Sequence, residues 1–252
     1  MSRKLLIVVT NAPTLTLTDG TVHPSGFWAE EFAVPYETFK SAGYEIDIAT
    51  LGGVAPSVDR SSLDPNNMKW VRPQQFEADD AALSRQFKNT LESCAGLRAP
   101  RDLGKISKDD LSSYAGIYIV GGHGCMEDMP CSPAMTRFLL NALALDLPIG
   151  SVCHGPTAFL SPRDAAGESP FSGYRMTCFS HVEEFATPIN GRLPMVLERE
   201  LKRIGVEYSK GPYPWCSYVV TDRNVVTGQN PFSSGAVGKA LLSLVERNQV
   251  VA

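Results

Sequence analysis

In the stretch Pro148-Ile-Gly-Ser-Val-Cys153-His154-Gly155-Pro156-Thr-Ala-Phe159, an apolar strand-like run stops at a cysteine and the chain resumes with a helical pattern. A thiolate is a nucleophile and an adjacent imidazole carries protons, so Cys153 and His154 have the residue types of covalent catalysis. A side chain at the end of a strand in an open α/β sheet lies at the edge where such sheets bind ligands, and a following helix N-terminus favours the thiolate. Gly155 relieves a tight turn, and Pro156 suits a first helical position. The remaining cysteines, at 94, 125, 131, 178 and 216, show neither CxxC pairing nor regular spacing. They read as reduced thiols, small hydrophobes in a chain too large to depend on disulfides.

A second loop, Gly121-Gly122-His123-Gly124, follows the apolar run Gly116 to Val120 and opens at the same edge. Its amides, with those after Cys153, are candidates for an oxyanion hole, and His123 is a candidate pocket residue. By itself the loop is also what an ordinary tight turn looks like.

The elements that must position these residues follow from hydrophobic patterning. Lys4 to Val9 is continuously apolar and β-branched, the pattern of a parallel strand buried on both faces. After a polar loop containing Asp19-Gly20, helical spacing runs from about Trp28 to Ala42, with Phe32, Pro35, Tyr36 and Phe39 near one face. Gly43 ends it. Tyr44 to Thr50 alternates as a strand, and this β-α-β opening implies a right-handed crossover. Ala115 to Val120 and Leu147 to Val152 extend the pattern, Tyr174 to Phe179 and Tyr218 to Thr221 read as strands, and helices are expected at 135–145, 155–160 and 233–245. The expectation is one α/β domain over 1–252, a doubly wound, mostly parallel sheet with helices on both faces. Residues of about 52–110, rich in Asp, Ser, Asn, Pro and Gln with helical spacing at about 80–91, read as a small insertion or cap over the sheet edge.

Composition excludes several classes. The 252 residues, 43% of them hydrophobic, suffice for a substantial core. The net charge of −4 comes from 23 basic and 27 acidic residues interspersed along the chain, which argues against nucleic-acid and anionic-membrane partners. No apolar run approaches the ~18 residues of a membrane span, and Leu5 to Val9 is too short for a signal peptide, so a cytoplasmic protein is expected.

Five motifs in order carry a resemblance: Ser25-Gly-Phe-Trp-Ala-Glu-Glu31-Phe-Ala-Val-Pro35, Gly121-Gly-His-Gly124, Ser151-Val-Cys-His-Gly-Pro156, Thr177-Cys-Phe-Ser-His-Val-Glu-Glu184 and Thr227-Gly-Gln-Asn-Pro231. Over nearly its whole length the chain resembles the ThiJ/PfpI superfamily of the class I glutamine-amidotransferase-like fold, a flavodoxin-like architecture. Within it, the chain is most similar to the branch of heat-shock chaperone-like proteins and glutathione-independent glyoxalase III enzymes. The resemblance implies that Glu31, four positions before a proline, lies against the Cys153 sulfur, with Glu30 the nearby rival. It also implies that His154 is the catalytic histidine, oriented by Glu184. A carboxyl buried beside a thiolate would hold its own proton and donate it. The chain departs from the branch at Cys178, where glycine is usual, and along Cys125 to Cys131, which leaves the substrate open. Trp28, Met126, Tyr213 and Trp215 are candidate pocket walls, and His23 and His181 receive no role.

The implied reaction is addition of Cys153 to the aldehyde of methylglyoxal or a related small-molecule 2-oxoaldehyde, ending in a 2-hydroxy acid, without metal or organic cofactor. The structural zinc of some chaperone-like relatives needs a His/Glu cluster in the insertion, and residues 52–110 contain no histidine. A cysteine-dependent hydratase or hydrolase of a nitrile-like, isonitrile or amide substrate is the second reading. A holdase chaperone or redox-stress protein is the third, and a homodimer is expected from the resemblance.

Overall fold

The run Lys4–Val8 forms strand β1 because both of its faces have a core to enter. Leu5 and Ile7 pack with Phe32, Phe39 and Leu241 on one side of the sheet, and Leu6 and Val8 with Met135, Phe138 and Leu139 on the other. The computed structural model describes residues 3–67, 79–163 and 166–251, so residues 68–78 of the expected insertion lie outside it.

After β1 come a hairpin of β2 (Thr14–Thr16) and β3 (Val22–Pro24), helix α1 (Ala29–Ser41), β4 (Glu45–Thr50), α2 (Asp80–Ser93), β5 (Arg101–Asp102), β6 (Gly116–Ile119), α3 (Pro133–Ala144) and β7 (Ile149–Val152). The remainder holds β8 (Arg175–Met176), α4 (His181–Glu184), α5 (Leu197–Arg203), β9 (Glu207–Tyr208), β10 (Val219–Asp222), β11 (Val225–Gly228) and α6 (Ser234–Val251). The main sheet has the order β10-β11-β7-β6-β1-β4-β5 and is parallel except for the β10/β11 hairpin. This is the expected flavodoxin-like arrangement. The chain moves from β1 to β4 on one side and returns to β6, β7 and β11 on the other, so the carboxyl ends of β1, β6 and β7 border a switch-point crevice.

Three expectations are corrected. Residues 101 and 102 pair in parallel with Ala49 and Thr50, so the end of the 52–110 segment is an edge strand of the sheet and not only a cap over it. Before it, Phe87 of α2 packs on Ala29 and Ala33 of α1. The stretch expected as a helix at 155–160 winds as tighter 3-10 turns from Gly155 to Leu160. The strand expected at 174–179 is confined to Arg175–Met176, paired with β9 in a separate small sheet. Beyond it the backbone is drawn elsewhere: the Thr177 amide donates to the Thr227 hydroxyl and the Phe179 amide to the Cys153 carbonyl, each at 2.9 Å.

Candidate active site

Cys153 directly follows β7 with its backbone in the left-handed region, at φ 57°. That conformation is costly for a residue with a Cβ and is kept where the surroundings over-determine it. Here its amide donates to the Gly228 carbonyl and its carbonyl accepts from the Phe179 amide, both at 2.9 Å. The chain turns sharply at this elbow, and the thiol is left 4% exposed at the floor of a cavity. Gly155 serves the turn by packing: a Cβ there would strike the Ser151 hydroxyl and the Ile119 carbonyl.

The sulfur has an imidazole on one side. Cys153 Sγ lies 3.3 Å from His154 Nδ1, and His154 Nε2 lies 2.5 Å from Glu184 Oε1. Glu184 comes from α4, a single turn fixed by a reciprocal capping box between Ser180 and Glu183. Its other oxygen, Oε2, is 3.3 Å from His123 Nε2, and the His123 ring packs on His154 at 4.2 Å between centroids. Burial alone would push the Glu184 carboxyl up, but the two imidazoles outweigh it and hold Glu184 well below the usual carboxylate range. Burial, reinforced by His123, pushes His154 below its ordinary value despite the opposing pull of Glu184. A neutral His154 facing a carboxylate carries its proton on Nε2, which leaves the Nδ1 lone pair to accept from the thiol.

On the other side is a carboxyl. Glu31 is fully buried in the first turn of α1, where its carboxyl meets the Cys153 thiol and the Gly121 amide. Proline at position 35 has no amide to bond the Glu31 carbonyl four residues earlier, and the Tyr118 hydroxyl takes that carbonyl instead at 3.0 Å. Gly121 admits the side chain, because a Cβ there would collide with the Glu31 carboxyl and the His154 amide. Burial pushes Glu31 well above the carboxylate range, with the neighbouring Cys153 thiol and Gly121 amide pulling the other way and the charge of Glu30 adding to the rise. Glu31 rather than Glu30 is therefore the acid beside the sulfur.

Burial pushes the Cys153 thiol well up, and the neighbouring side chains of Glu31 and Glu184 add to this. His154 Nδ1, 3.3 Å from the sulfur, is in place to receive the thiol proton.

Of the glycine loops, Gly122 and His123 line the cavity, whereas the Gly124 amide is already donated to the Gly26 carbonyl at 3.3 Å, the Gly121 amide faces Glu31, and Gly155 packs beneath the elbow. Among the described residues no acceptor takes the backbone amides of Gly122, His123, His154 and Gly155, which leaves these for an oxyanion.

The cavity has a volume of about 490 Å³. Trp28 and Trp215 are walls, as expected; Met126 is instead core, 4% exposed, and Tyr213 lies on the surface, 72% exposed. Phe179, packed on His154 at 4.7 Å, and His23, carried in by the β2/β3 hairpin, are wall residues that sequence reasoning left without a role. Nothing local marks His23, because its place depends on where that hairpin folds. His181 is outside the cavity, against Phe185.

His123, His154 and Glu184 offer ligand atoms within 4.8 Å of one another, the one such grouping among the described residues. The 2.5 Å separation of His154 Nε2 and Glu184 Oε1 is a hydrogen bond. Donors to one tetrahedral ion at ~2.0–2.1 Å stand roughly 3.3 Å apart, so the arrangement fits proton sharing and not a preformed metal centre.

The DJ-1/PfpI family model matches residues 22–244. Among curated proteins, the protein/nucleic acid deglycase HchA of Escherichia coli is 29% identical over 240 residues, covering 94% of this chain and 78% of the relative. Among solved structures, the Rapid Encystment Protein 24 KDa of Francisella tularensis aligns with a TM-score of 0.76 at 26% identity, covering 97% and 99% of the two chains. Glyoxalase III of Candida albicans shares the fold, with a TM-score of 0.73 at 21% identity over 96% of each chain. No described helix is long and apolar enough to cross a membrane.

Proposed function

Because this chain belongs to the DJ-1/PfpI family, we propose that it is a glutathione-independent, glyoxalase III-like enzyme converting methylglyoxal or a related 2-oxoaldehyde to a 2-hydroxy acid through a hemithioacetal on Cys153. The observation that carries this reading is a sulfur flanked by two proton carriers: the His154 imidazole at 3.3 Å and the fully buried Glu31 carboxyl, pushed up by that burial. A simple hydrolase triad needs only the imidazole. A 2-oxoaldehyde isomerisation needs a second group near neutral poise, because a carbon-bound hydrogen must leave one carbon and return at its neighbour.

His154 Nδ1 takes the thiol proton as Sγ bonds to the aldehyde carbon. The π pair moves to the aldehyde oxygen, which takes the Glu31 proton beside the amides of Gly122 and His154. Glu31, now a carboxylate, removes the hydrogen from that carbon while His154 gives the former thiol proton to the oxygen of the adjacent carbon, forming an enediol; Glu31 then returns its proton to the adjacent carbon and takes back the proton of the first carbon's hydroxyl, which leaves His154 neutral. The first carbon is thereby oxidised to a thioester and the second reduced to an alcohol, so no external oxidant or reductant enters. Water, deprotonated by His154, cleaves the thioester and restores the thiol. The deglycase name of the E. coli relative supports an enzyme.

The test is lactate formation from methylglyoxal without glutathione, comparing wild type with Cys153→Ala at matched fold content by circular dichroism. Turnover that disappears with the thiol is the expected result. Full turnover in Cys153→Ala refutes the mechanism, and no turnover in either protein moves the reading to the hydratase or hydrolase.

A further inference from the structure

Trp215 sits in the left-handed region at φ 64°, although its neighbours Tyr213 and Pro214 are exposed. Strained backbone at a bulky residue persists only where something holds it, and an observed outlier of this kind points toward function. What holds it is Glu183, a fully buried carboxylate that the mechanism above does not use. Its Oε1 accepts from the Trp215 amide at 2.8 Å, Gln229 Nε2 at 2.9 Å and Asn230 Nδ2 at 2.8 Å. Its Oε2 accepts from the Ser180 amide at 3.0 Å and the Ser180 hydroxyl at 2.7 Å. A buried carboxylate with every lone pair engaged is rigid, and removing its charge leaves donors unpaired.

The indole so fixed packs edge-on against Phe179 at 5.5 Å, and Phe179 in turn packs on His154. Trp28 forms another wall of the same cavity, its amide bonded to the Gly121 carbonyl at 3.1 Å, directly before the helix that carries Glu31. Both indoles are thus tied to elements that bear the reacting groups. The cavity of about 490 Å³ would hold about 16 waters at ~30 Å³ each, far more than the few heavy atoms of methylglyoxal require. A smaller site would serve methylglyoxal; preformed aromatic walls serve a larger apolar group.

Building on the functional reading above, we propose that the preferred substrates are 2-oxoaldehydes with a bulky apolar, especially aromatic, substituent gripped by Trp28 and Trp215, and that Glu183 is the positioning residue that holds Trp215. The covalent chemistry is unchanged: phenylglyoxal would yield mandelate as methylglyoxal yields lactate.

The experiment compares kcat/KM for phenylglyoxal and methylglyoxal, without glutathione, in wild type, Trp215→Ala, Trp28→Ala, Glu183→Gln and Glu183→Asp, with Cys153→Ala as the blank. Wild type should favour phenylglyoxal at least tenfold, about 1.4 kcal/mol. That ratio should fall toward one in whichever tryptophan variant retains native circular dichroism. Glu183→Gln should raise KM for phenylglyoxal more than it lowers kcat, with partial recovery in Glu183→Asp. Cys153-dependent turnover of methylglyoxal with no preference for phenylglyoxal, or a ratio unchanged in a folded tryptophan variant, overturns this inference and leaves the functional reading standing. No Cys153-dependent turnover of either compound overturns the functional reading itself.

Discussion

Replacing Glu31 by glutamine separates the two roles a carboxyl beside a thiol can have. The side chain keeps its shape and stays neutral, so Gly121, Pro35 and Tyr118 still accommodate it, but it no longer transfers a proton. Loss of a positioned proton carrier costs on the order of 10²–10⁴ in turnover, about 3–5 kcal/mol in the barrier. The thiol should respond in the opposite sense. After burial itself, Glu31 is the leading cause that pushes Cys153 up, and it does so through its charge once ionised, so at pH values above that ionisation the glutamine variant has the lower thiol and alkylates faster. Stability should hold or rise at high pH, because a carboxyl raised by burial destabilises the fold as pH climbs through its folded value, and an amide does not titrate. Three measurements decide this: 2-oxoaldehyde turnover, the rate of iodoacetamide capture of Cys153 against pH, and the thermal midpoint against pH. Turnover above a tenth of wild type would refute Glu31 as proton carrier. Slower alkylation with an upward-shifted thiol would refute its placement against the sulfur.

Glu184→Gln leaves one of the two histidines without its acceptor, since an amide has one carbonyl oxygen where the carboxylate served His154 Nε2 and His123 Nε2 separately. Turnover should fall roughly 10²-fold or more; because Glu184 holds His154 up, the acid limb of kcat/KM should also move to lower pH, and a limb moving upward would contradict the assignment. Asp128, pushed up to about 6 from 3.8 by burial despite bonds from Thr10 and Asn11, binds a proton in the folded state that the unfolded chain has already released. Wild type should therefore gain stability relative to Asp128→Asn as pH falls from about 6 to about 4, by at most about 3 kcal/mol, and parallel denaturation midpoints across that window would refute it.

Much of this molecule is local information. A continuously apolar, β-branched run marks β1, and the apolar run into Cys-His-Gly-Pro marks the elbow. Each depends on neighbours a few residues away, where backbone preference and side-chain period act directly. The upward push on the Cys153 thiol comes from burial and from Glu31 and Glu184, brought in by α1 and α4, and the choice of Glu31 over Glu30 depended on which side of the helix meets the sheet. Gly124 left the oxyanion set because Gly26 competes for its amide, Met126 and Tyr213 left the cavity walls in opposite directions, and His23 joined them through a hairpin's docking. Desolvation, competition for hydrogen bonds and the meeting of distant segments are properties of the packed chain. The tertiary structure alone could therefore decide which of the right residue types face the sulfur and in what state of charge.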